Sequence, residues 1–364
     1  MPGMKERWAI GAMTGTSLDA LDASLVRAEG SGLDLRVQVE RHITHELDPV
    51  RARLRAACDG ATMSASEFAT LALDFGRLHA EALAPLAHGR AIAVAAVHGQ
   101  TIFHAPPVSW QLLNPWPIAQ RLGCAVASDL RGADLAAGGQ GAPITPLADW
   151  IAFRHAKATA IVNLGGFCNI TWLPPSADGP AGIKGADICP CNHLLDASAR
   201  RALGKPFDAD GSGARAGTVS EPDARALAML LARAEAAGRS LGTGDEATGW
   251  VQACNLPPAD LLATVAHAIG SHIGRAATRA GHERVVVAGG GSRNAALTAA
   301  IRAGAAGAQV LTSTDVGIPV EARESMEMAI LGLLALDRTP VTLPAVTGRG
   351  PSRCVDAVWC LPAG

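Results

Sequence analysis

The hydrophobic positions along the chain follow two different periods. Short apolar runs bounded by glycine or polar residues are typical of buried strands, and apolar residues spaced three and four apart are typical of helices. In the first half the pattern predicts strands at Trp8–Met13, Ala23–Ala28, Leu33–Glu40 and Ala91–Val97, and helices at Asp48–Asp59 and Ser66–Ala87. In the second half it predicts strands at Thr159–Leu164, Asn169–Leu173, Ile183–Asp187, Arg284–Ala288 and Gln309–Thr312, a helix from Asn294 and a helix at Ala322–Leu336.

Each half therefore begins with a β-hairpin and continues into α/β units. This repetition predicts an α/β protein of two domains, each with a mixed sheet and flanking helices, and a seam near residues 150–158. We place the first domain at residues 1–157 and the second at 158–364. Two hairpins with turns rich in Gly, Thr and Ser can offer N–H groups to a polyphosphate from both sides, so a nucleotide is expected in a cleft between them.

Composition excludes several classes of protein. Of the 364 residues, 49% are hydrophobic and 18% are charged, which is typical of a globular chain. The 31 Lys and Arg against 33 Asp and Glu give a net charge of −2, so a nucleic-acid or anionic-membrane partner is not expected. No apolar run reaches the ~18–20 residues of a spanning helix, and the start lacks a signal-peptide pattern, so a cytoplasmic location is expected.

The eight cysteines are scattered and contain no C-x-x-C pair. Reduced, mostly buried thiols are therefore favoured over disulfides. The segment Cys189-Pro-Cys191-Asn-His193 supplies at most three zinc ligands, and no second cluster accompanies it at zinc-site spacing. Buried thiols are thus favoured over a zinc site.

Two glycine-containing turns are candidates for phosphate binding. The first comprises Gly15, Thr16, Ser17, Leu18, Asp19, Ala20, Leu21 and Asp22. Its N–H and hydroxyl groups can bind phosphates, and Asp19 and Asp22 can hold Mg²⁺ directly or through water; the alternative is a capped structural turn. The second comprises Gly289, Gly290, Gly291 and Asn294, where backbone without side chains lets a flat ring or a phosphate approach, the alternative being a tight strand-to-helix turn.

A cluster of polar residues lies between the two predicted hairpins. Amides, an imidazole and a guanidinium beside glycines suit a ligand rich in hydroxyl groups, such as a sugar. These candidates are His98, Gln100, Thr101, Gln111, Asp129, Arg131 and Gln140. A single histidine is more often structural, but loops with so many polar groups are hard to explain by packing alone.

These motifs, in this order, resemble the anhydro-N-acetylmuramic acid kinase family over nearly the whole chain. The matching segments are Gly15–Asp22, His98–Thr101, Asp129–Arg131, Gly138–Pro143, Asn163–Gly166 with Asn169, Asp208–Gly211, Gly289–Gly291 with Asn294, Gly317–Pro319 with Glu324, and Leu343–Gly348. The resemblance implies two actin-like (ribonuclease H-like) lobes around a nucleotide cleft. It also implies an ATP- and Mg²⁺-dependent phosphotransferase of peptidoglycan recycling.

The reaction implied by the resemblance opens the 1,6-anhydro bridge of the sugar with water and phosphorylates its O6, giving N-acetylmuramate 6-phosphate and ADP. Carried over by position, the general base is Asp187. Nucleotide contacts extend to Gly165, Gly166 and Asn169, and sugar contacts extend to Asn192 and Glu324. The partners are thus small molecules, namely the anhydro sugar, ATP and water, with a homodimer left open.

The sequence departs from the family pattern directly after the base. Where the family has Asp-Thr-Gly-Pro-Gly-Asn, this chain has Asp187-Ile-Cys-Pro-Cys-Asn192. If either glycine is needed at positive φ, a Cβ there costs roughly 1–2 kcal/mol and shifts the base. Two alternatives therefore stay open: an actin-like kinase for another amino sugar, and a nucleotide or sugar sensor with impaired catalysis. A further departure, Glu327-Met328, is expected to affect packing.

Overall fold

The computed structural model describes residues 6–15, 18–236, 241, 244–245, 247–350 and 357–362. The chain divides into two compact units. Unit 1 consists of Met1–Ala152 together with Glu321–Gly364, and unit 2 consists of Phe153–Val320. The predicted boundary between residues 157 and 158 lies close to the first crossing, but the prediction does not include the return of the chain to unit 1.

The described residues form groups of strands separated by groups of helices. The strands are β1 (Arg7–Thr14), β2 (Leu21–Glu29), β3 (Arg36–His45), β4 (Ile92–His98), β5 (Gln100–Ala105), β6 (Val108–Leu112), β7 (Val126–Ser128), β8 (Thr159–Leu164), β9 (Phe167–Leu173), β10 (Lys184–Pro190), β11 (Arg284–Ala288), β12 (Gln309–Thr312) and β13 (Val358–Cys360). The helices are α1 (Arg51–Cys58), α2 (Ala65–Ala87), α3 (Trp116–Leu122), α4 (Gly132–Ala136), α5 (Pro146–Phe153), α6 (Asn192–Leu203), α7 (Ser212–Arg215), α8 (Glu221–Ala236), α9 (Thr248–Ala253), α10 (Pro258–Ala277), α11 (Ala295–Gly304), α12 (Arg323–Leu336) and α13 (Pro344–Thr347).

The main sheet of unit 1 is mixed. Its order is β13-β7-β4-β1-β2-β3, and a separate hairpin pairs β5 with β6. Strands β1, β2 and β3 pair antiparallel, whereas β4 pairs parallel with both β1 and β7. The central strands β1 and β4 are almost continuously buried, as expected for strands covered on both faces.

Helix α12 packs directly on β1 and β4, which explains why the chain returns to unit 1. The approach is close at two glycines. A Cβ added to Gly11 would clash with the backbone oxygen of Ser325, and one added to Gly332 would lie 2.6 Å from the Cβ of Ala96. Glycine at both positions lets helix and sheet backbones come together, a tertiary requirement that local periodicity does not reveal.

The sheet of unit 2 repeats the arrangement of unit 1. Its order is β10-β9-β8-β11-β12. The first three strands in sequence pair antiparallel, and β11 pairs parallel with both β8 and β12. The prediction of two mixed-sheet α/β lobes is therefore confirmed. None of the helices in the described ranges is long and apolar enough to cross a membrane.

Helix α12 also carries charged groups into the interior of unit 1. The Arg323 guanidinium, with its side chain 4% exposed, donates from Nη2 to Oδ1 of Asp149 over 2.6 Å. Its Nε lies 2.8 Å from Oε1 of the fully buried Glu327, without hydrogen-bond alignment. Burial raises the pKa of Glu327 well above its ordinary value, although the positive charge of Arg323 opposes this. Glu327 thus lies in a buried cluster with Arg323 and Asp149.

Helix α2 forms one wall of the unit 1 core. It begins at a capping box, in which the Ser64 hydroxyl accepts from the N–H of Glu67 and the Glu67 carboxylate accepts from the N–H of Ser64. His79 is fully buried on this helix, and its Nδ1 donates to the carbonyl of Phe75 over 2.8 Å. Burial lowers the pKa of His79 to about 4.

Candidate functional site

The turn between β1 and β2 is the predicted phosphate loop of unit 1. Thr16 and Ser17 lie outside the described residues. The Gly15 carbonyl accepts from the N–H of Leu18 over 3.1 Å, and Leu18 is buried with φ of 56°. Ala20 is half-buried and Leu21 opens β2 in the core. The apolar members of this segment thus anchor the turn.

The two carboxylates predicted to hold Mg²⁺ differ in their surroundings. Asp19 is exposed, and its backbone oxygen accepts from Arg51 over 2.8 Å. Asp22 lies on β2, where its Oδ1 accepts from the Thr44 hydroxyl over 2.7 Å and lies 3.4 Å from Nε2 of His42. Mg²⁺ in nucleotide sites is commonly held by one or two carboxylates, substrate phosphates and waters. Asp19 and the second oxygen of Asp22 fit such a donor set.

Arg131 and His98 form a hydrogen-bonded pair in unit 1. The Nε of Arg131 donates to Nε2 of His98 over 3.0 Å, and its Nη1 donates to the carbonyl of Gly141 over 2.7 Å. The Nδ1 of His98 in turn lies 2.8 Å from the carbonyl of Gly99. Both ring nitrogens therefore have protein partners, and the ring is 6% exposed. His98 is a positioning residue for Arg131 in this arrangement.

The pKa values of this pair reflect their burial. Burial, followed by the positive charge of Arg131, lowers the pKa of His98 to about 3. Burial lowers the pKa of Arg131 to about 10, and Asp129 opposes that change. The imidazole is thus neutral and the guanidinium is charged at neutral pH. Asp129, with φ of 45°, uses Oδ1 to accept from the N–H of Gly132 at the start of α4.

The β5–β6 hairpin carries the predicted residues Gln100, Thr101 and Gln111. Gln100 is 2% exposed, and its Oε1 accepts from the Thr14 hydroxyl over 2.8 Å. Thr101 and Gln111 are half-buried and face each other across the hairpin. Gln111 donates from Nε2 to the hydroxyl of Ser109 over 2.8 Å.

His104 belongs to the same cluster and was not among the predicted residues. Its Nδ1 lies 2.8 Å from the Ser109 hydroxyl. Burial and then the charge of Arg131 lower the pKa of His104, while a hydrogen bond with the backbone of Gln140 opposes this. Local sequence carries no signal for His104, because it lies on β5 whereas His98 ends β4, and the hairpin brings the two together.

Asp134 joins two separate sequence motifs. It is 1% exposed, and its Oδ2 accepts from the N–H of Gly141 over 2.7 Å. Its Oδ1 accepts from the Thr347 hydroxyl over 2.7 Å, and Nε of Arg349 lies 3.6 Å away. The backbone N–H of Gln140 donates to the carbonyl of Thr347, and the side chain of Gln140 is exposed. The segments Gly138–Pro143 and Leu343–Gly348 thus form one loop cluster.

Glu324 is the remaining predicted sugar contact in unit 1. It is half-buried in the first turn of α12, next to the buried Arg323. The ion pair of Arg323 with Asp149 fixes the start of this helix, and through it the position of Glu324.

The predicted base, Asp187, lies on β10 opposite Asn169 of β9. The strand register shifts between Asp187 and Cys189, which marks a β-bulge. Bulges redirect neighbouring side chains and are common beside active sites. The Asp187 carboxylate accepts from the backbone N–H of Leu241 over 2.8 Å. Burial raises its pKa, and the bond from Leu241 partly offsets that shift.

The second predicted hairpin turn contacts the start of α6. The carbonyl of Gly165 accepts from the N–H of Asn192 over 3.0 Å, and the carbonyl of Gly166 accepts from the N–H groups of Cys191 and His193. The side chain of Asn192 donates from Nδ2 to the carbonyl of Leu164 over 3.0 Å. Asn192 is therefore held at this turn.

The triple glycine follows β11 and also approaches α6. Gly289 has φ of 83°, and a Cβ on Gly291 would lie 2.7 Å from Oδ1 of Asn192. Asn294 caps α11 by accepting from the N–H of Leu297 over 3.0 Å. Glycine at position 291 therefore allows the backbone to approach Asn192 closely.

A cavity of about 390 Å³ lies beside these residues within unit 2. Its walls are Asn192, Leu195, Asp196, Phe207, Asp208, Ala209, Asp210, Gly290, Gly291, Arg293 and Asn294. Three predicted nucleotide residues, Gly290, Gly291 and Asn294, thus meet the predicted sugar residue Asn192 in one concave site. Asp196 and Phe207 were not predicted, because their roles depend on how α6 and the following loop pack.

A family model with the description anhydro-N-acetylmuramic acid kinase matches residues 7–360. The chain belongs to this family. The resemblance inferred from its motifs is confirmed by that match, and so is its classification with the kinases.

Curated members of the anhydro-N-acetylmuramic acid kinase family are similar over nearly their full lengths. The protein of that name from Salinibacter ruber is 34% identical, covering 94% of this chain and 93% of the relative. The one from Gloeobacter violaceus is also 34% identical, covering 98% and 99%. The one from Bordetella pertussis is 34% identical, covering 97% and 96%.

Solved structures match this chain at low sequence identity. A ROK family glucokinase from Streptomyces griseus in complex with glucose and AMPPNP is 14% identical with a TM-score of 0.41, covering 89% of this chain and 99% of that chain. Component A of (R)-2-hydroxyglutaryl-CoA dehydratase from Acidaminococcus fermentans is 13% identical with a TM-score of 0.45, covering 90% and 98%.

The cysteines that replace the glycines of the kinase family pattern do not have positive φ. Cys191 has φ of −124°, and Cys189 is not among the residues with positive φ. The strain expected from a Cβ at a left-handed position therefore does not arise. Cys168, Cys189 and Cys191 are all fully buried, and burial raises the pKa of each thiol. Within the described part of the chain, no group of His, Cys, Asp and Glu is arranged to hold a metal ion with three or more ligands.

Proposed function

We propose that this protein is an ATP-dependent kinase acting on 1,6-anhydro-N-acetylmuramic acid in the cytoplasm, within peptidoglycan recycling. The proposed reaction adds water across the anhydro bridge and transfers the γ-phosphoryl group of ATP to O6. Membership of the kinase family over residues 7–360 supports the reaction class. For this chain, the main support for the proposal is the local environment of Asp187.

Asp187 combines three properties of a general base. It is half-buried, it lies beside a strand bulge, and its pKa is raised by burial. A carboxylate with a raised pKa is a stronger base than an ordinary aspartate, and a positioned base contributes about 10²–10⁴-fold to rate. The N–H of Leu241 holds one carboxylate oxygen, and the other is proposed to accept from the attacking water.

In the proposed step, Asp187 takes a proton from water while the water oxygen bonds to the anomeric carbon. The bond from that carbon to the bridging oxygen breaks, and the released O6 attacks the γ-phosphorus as ADP leaves. The sugar is proposed to be held by Arg131, Gln111, Asp129, Gln140, Thr101, Asn192 and Glu324, with His98 and Gln100 positioning their neighbours. Arg131 is suited to this because its position is fixed by two hydrogen bonds.

The nucleotide is proposed to bind along Gly15–Asp22, Gly165, Gly166, Asn169 and the Gly289–Asn294 run. The cavity beside Gly290 and Gly291 supports this, since it leaves backbone accessible to a ligand. Asp19 and Asp22 are proposed to hold Mg²⁺, which would neutralise phosphate charge when bound.

The proposal is tested by incubating the purified full chain with ATP, Mg²⁺ and the anhydro sugar in H₂¹⁸O. The expected product is a sugar phosphate carrying one ¹⁸O on the anomeric carbon, together with one ADP. Asp187→Asn is expected to reduce turnover by about 10²–10⁴-fold with ADP binding unchanged. The exposed Asp178→Asn serves as the matched control and is expected to retain turnover.

Three outcomes would contradict the proposal. Label found in inorganic phosphate alone would indicate simple ATP hydrolysis. Turnover of a different amino sugar from a test panel would change the substrate. Nucleotide binding without turnover of any sugar would identify a sensor.

A further inference from the structure

The unit 2 cavity contains three carboxylates that are not equivalent. Both oxygens of Asp208 are already used, since they accept from the N–H groups of Gly213 and Ala214 over 2.8 and 2.9 Å. Asp210 is exposed at a turn with φ of 55°. Asp196 is half-buried, and it accepts no hydrogen bond from the residues that the structure describes. It is therefore the half-buried carboxylate of the cavity that keeps its acceptor capacity.

The surroundings of Asp196 favour a hydrogen-bonded ligand. Burial raises the pKa of Asp196, whereas the charges of Arg200 and His193 oppose that shift. Moving a carboxylate out of water costs free energy unless other donors replace the water. A ligand that brings hydroxyl donors into the cavity would supply them.

The position of Asp196 along α6 indicates which part of a nucleotide it faces. Asn192 lies one helical turn before Asp196, so the two side chains share a face of α6. Asn192 is held at the Gly165–Gly166 turn, one of the two hairpin turns expected to face the phosphates. One turn of helix spans about 5.4 Å, which is comparable to the step from a phosphate to the ribose in a nucleotide.

We propose that Asp196 accepts hydrogen bonds from the ribose hydroxyls of ATP and makes the enzyme select ATP over 2′-deoxy-ATP. This inference rests on the proposed function, because it assigns a role within the same nucleotide site. Carboxylates recognise ribose 2′-hydroxyls in other nucleotide-binding proteins, so the chemistry is established. A site built for a hydroxyl discriminates against the analogue that lacks it, because its buried acceptor is left unpaired.

The inference is tested by the ratio of kcat/KM for ATP to that for 2′-deoxy-ATP. The wild-type chain is expected to favour ATP by about tenfold to hundredfold, the range for a hydrogen bond to a charged group. In Asp196→Ala the ratio is expected to fall to near one, through loss of activity with ATP. Asp178→Asn is the control, and its ratio is expected to equal that of the wild type.

Direct binding of ADP and 2′-deoxy-ADP, measured by calorimetry without sugar, separates the two proposals. If neither nucleotide binds, the proposed function fails and this inference fails with it. If both bind equally to the wild type, only the role of Asp196 is overturned. Equal losses for both nucleotides in Asp196→Ala would indicate a structural role. A change in the ratio of ATP to inosine triphosphate instead would place the carboxylate at the base, which would also overturn the inference.

Discussion

Nε of Arg131 donates to Nε2 of His98 over 3.0 Å. Since a guanidinium can only donate, Nε2 must be the unprotonated nitrogen of the ring and Nδ1 must carry the proton. The carbonyl of Gly99, 2.8 Å from Nδ1, accepts that proton. The pair therefore fixes both the tautomer of His98 and the direction of the guanidinium.

We expect this tautomer to persist over a wide range of pH. The pKa of His98 is lowered to about 3, so the ring stays neutral between pH 8 and pH 5. In ¹⁵N NMR spectra, Nε2 of His98 should remain unprotonated throughout that range. Arg131→Lys should lower kcat/KM for the sugar by about tenfold to hundredfold, since lysine lacks the planar fork, with ADP affinity unchanged. The exposed Arg36→Lys is the control, and an equal loss in both variants would contradict the assignment.

The buried His79 should make stability depend on pH. Its pKa in the folded chain is about 4, below the ordinary value of 6.5, so the unfolded chain binds the proton first as the pH falls. The free energy of unfolding should therefore decrease below pH 6.5 and level off below about pH 4, with a slope of about 1.4 kcal/mol per pH unit. Between pH 6.5 and pH 5 the loss amounts to about 1.6 kcal/mol.

Urea unfolding at pH 6.5 and pH 5 measures this dependence. His79→Leu should reduce the difference between the two pH values, whereas the exposed His88→Gln should not. An unchanged difference in His79→Leu would show that the ring does not gain a proton on unfolding.

The buried charges on α12 should respond unequally to substitution. Arg323→Met leaves Asp149 without its ion pair in the core, which should cost about 3–5 kcal/mol of stability. Glu327→Gln should cost much less, because burial raises the pKa of Glu327 and favours its neutral form. Thermal unfolding of both variants makes the comparison. Equal destabilisation would mean that Glu327 is ionised and paired with Arg323.

The cysteines after Asp187 should be tolerated without loss of catalysis. Restoring the family pattern with Cys189→Gly and Cys191→Gly should not raise kcat, since neither cysteine has a positive φ. It should lower stability by about 1–2 kcal/mol for each position through lost packing and added backbone entropy. Cys254→Gly, also buried in unit 2, controls for lost packing and added backbone entropy away from Asp187. A tenfold gain in kcat would show that the cysteines impair the base.

The elements with strong apolar runs were predicted closely from the sequence. The predicted strand Thr159–Leu164 has the same bounds in the structure, and the helix predicted at Ser66–Ala87 starts one residue earlier. The strand predicted at Leu33–Glu40 instead runs over Arg36–His45, because residues Gly32–Asp34 form a 3₁₀ turn and the edge strand alternates. The β5–β6 hairpin was not predicted, since its exposed strands lack an apolar run.

The candidate site was predicted unevenly for a related reason. Turns and polar clusters are visible in local sequence, so the candidates themselves could be named. Their partners could not be named, because these lie far apart in the chain: Thr347 bonds Asp134 over a separation of 213 residues, and Arg323 bonds Asp149 over 174. Asp196 was missed because the sequence does not show which carboxylates of the cavity already accept hydrogen bonds. The structure shows that both oxygens of Asp208 do so.

The return of α12 to the β1–β4 surface has a consequence for the order of folding during synthesis. Unit 2 is contiguous in sequence, so all of its residues leave the ribosome before Glu321 does. Helix α12 can pack on unit 1 only afterwards, and until then the face of the sheet that contains Gly11 is uncovered. The first 152 residues therefore cannot complete unit 1 until the C-terminal segment has been synthesised, and their apolar surface stays exposed to solvent or to chaperones. Unit 2, which follows them in the chain, can fold before that point.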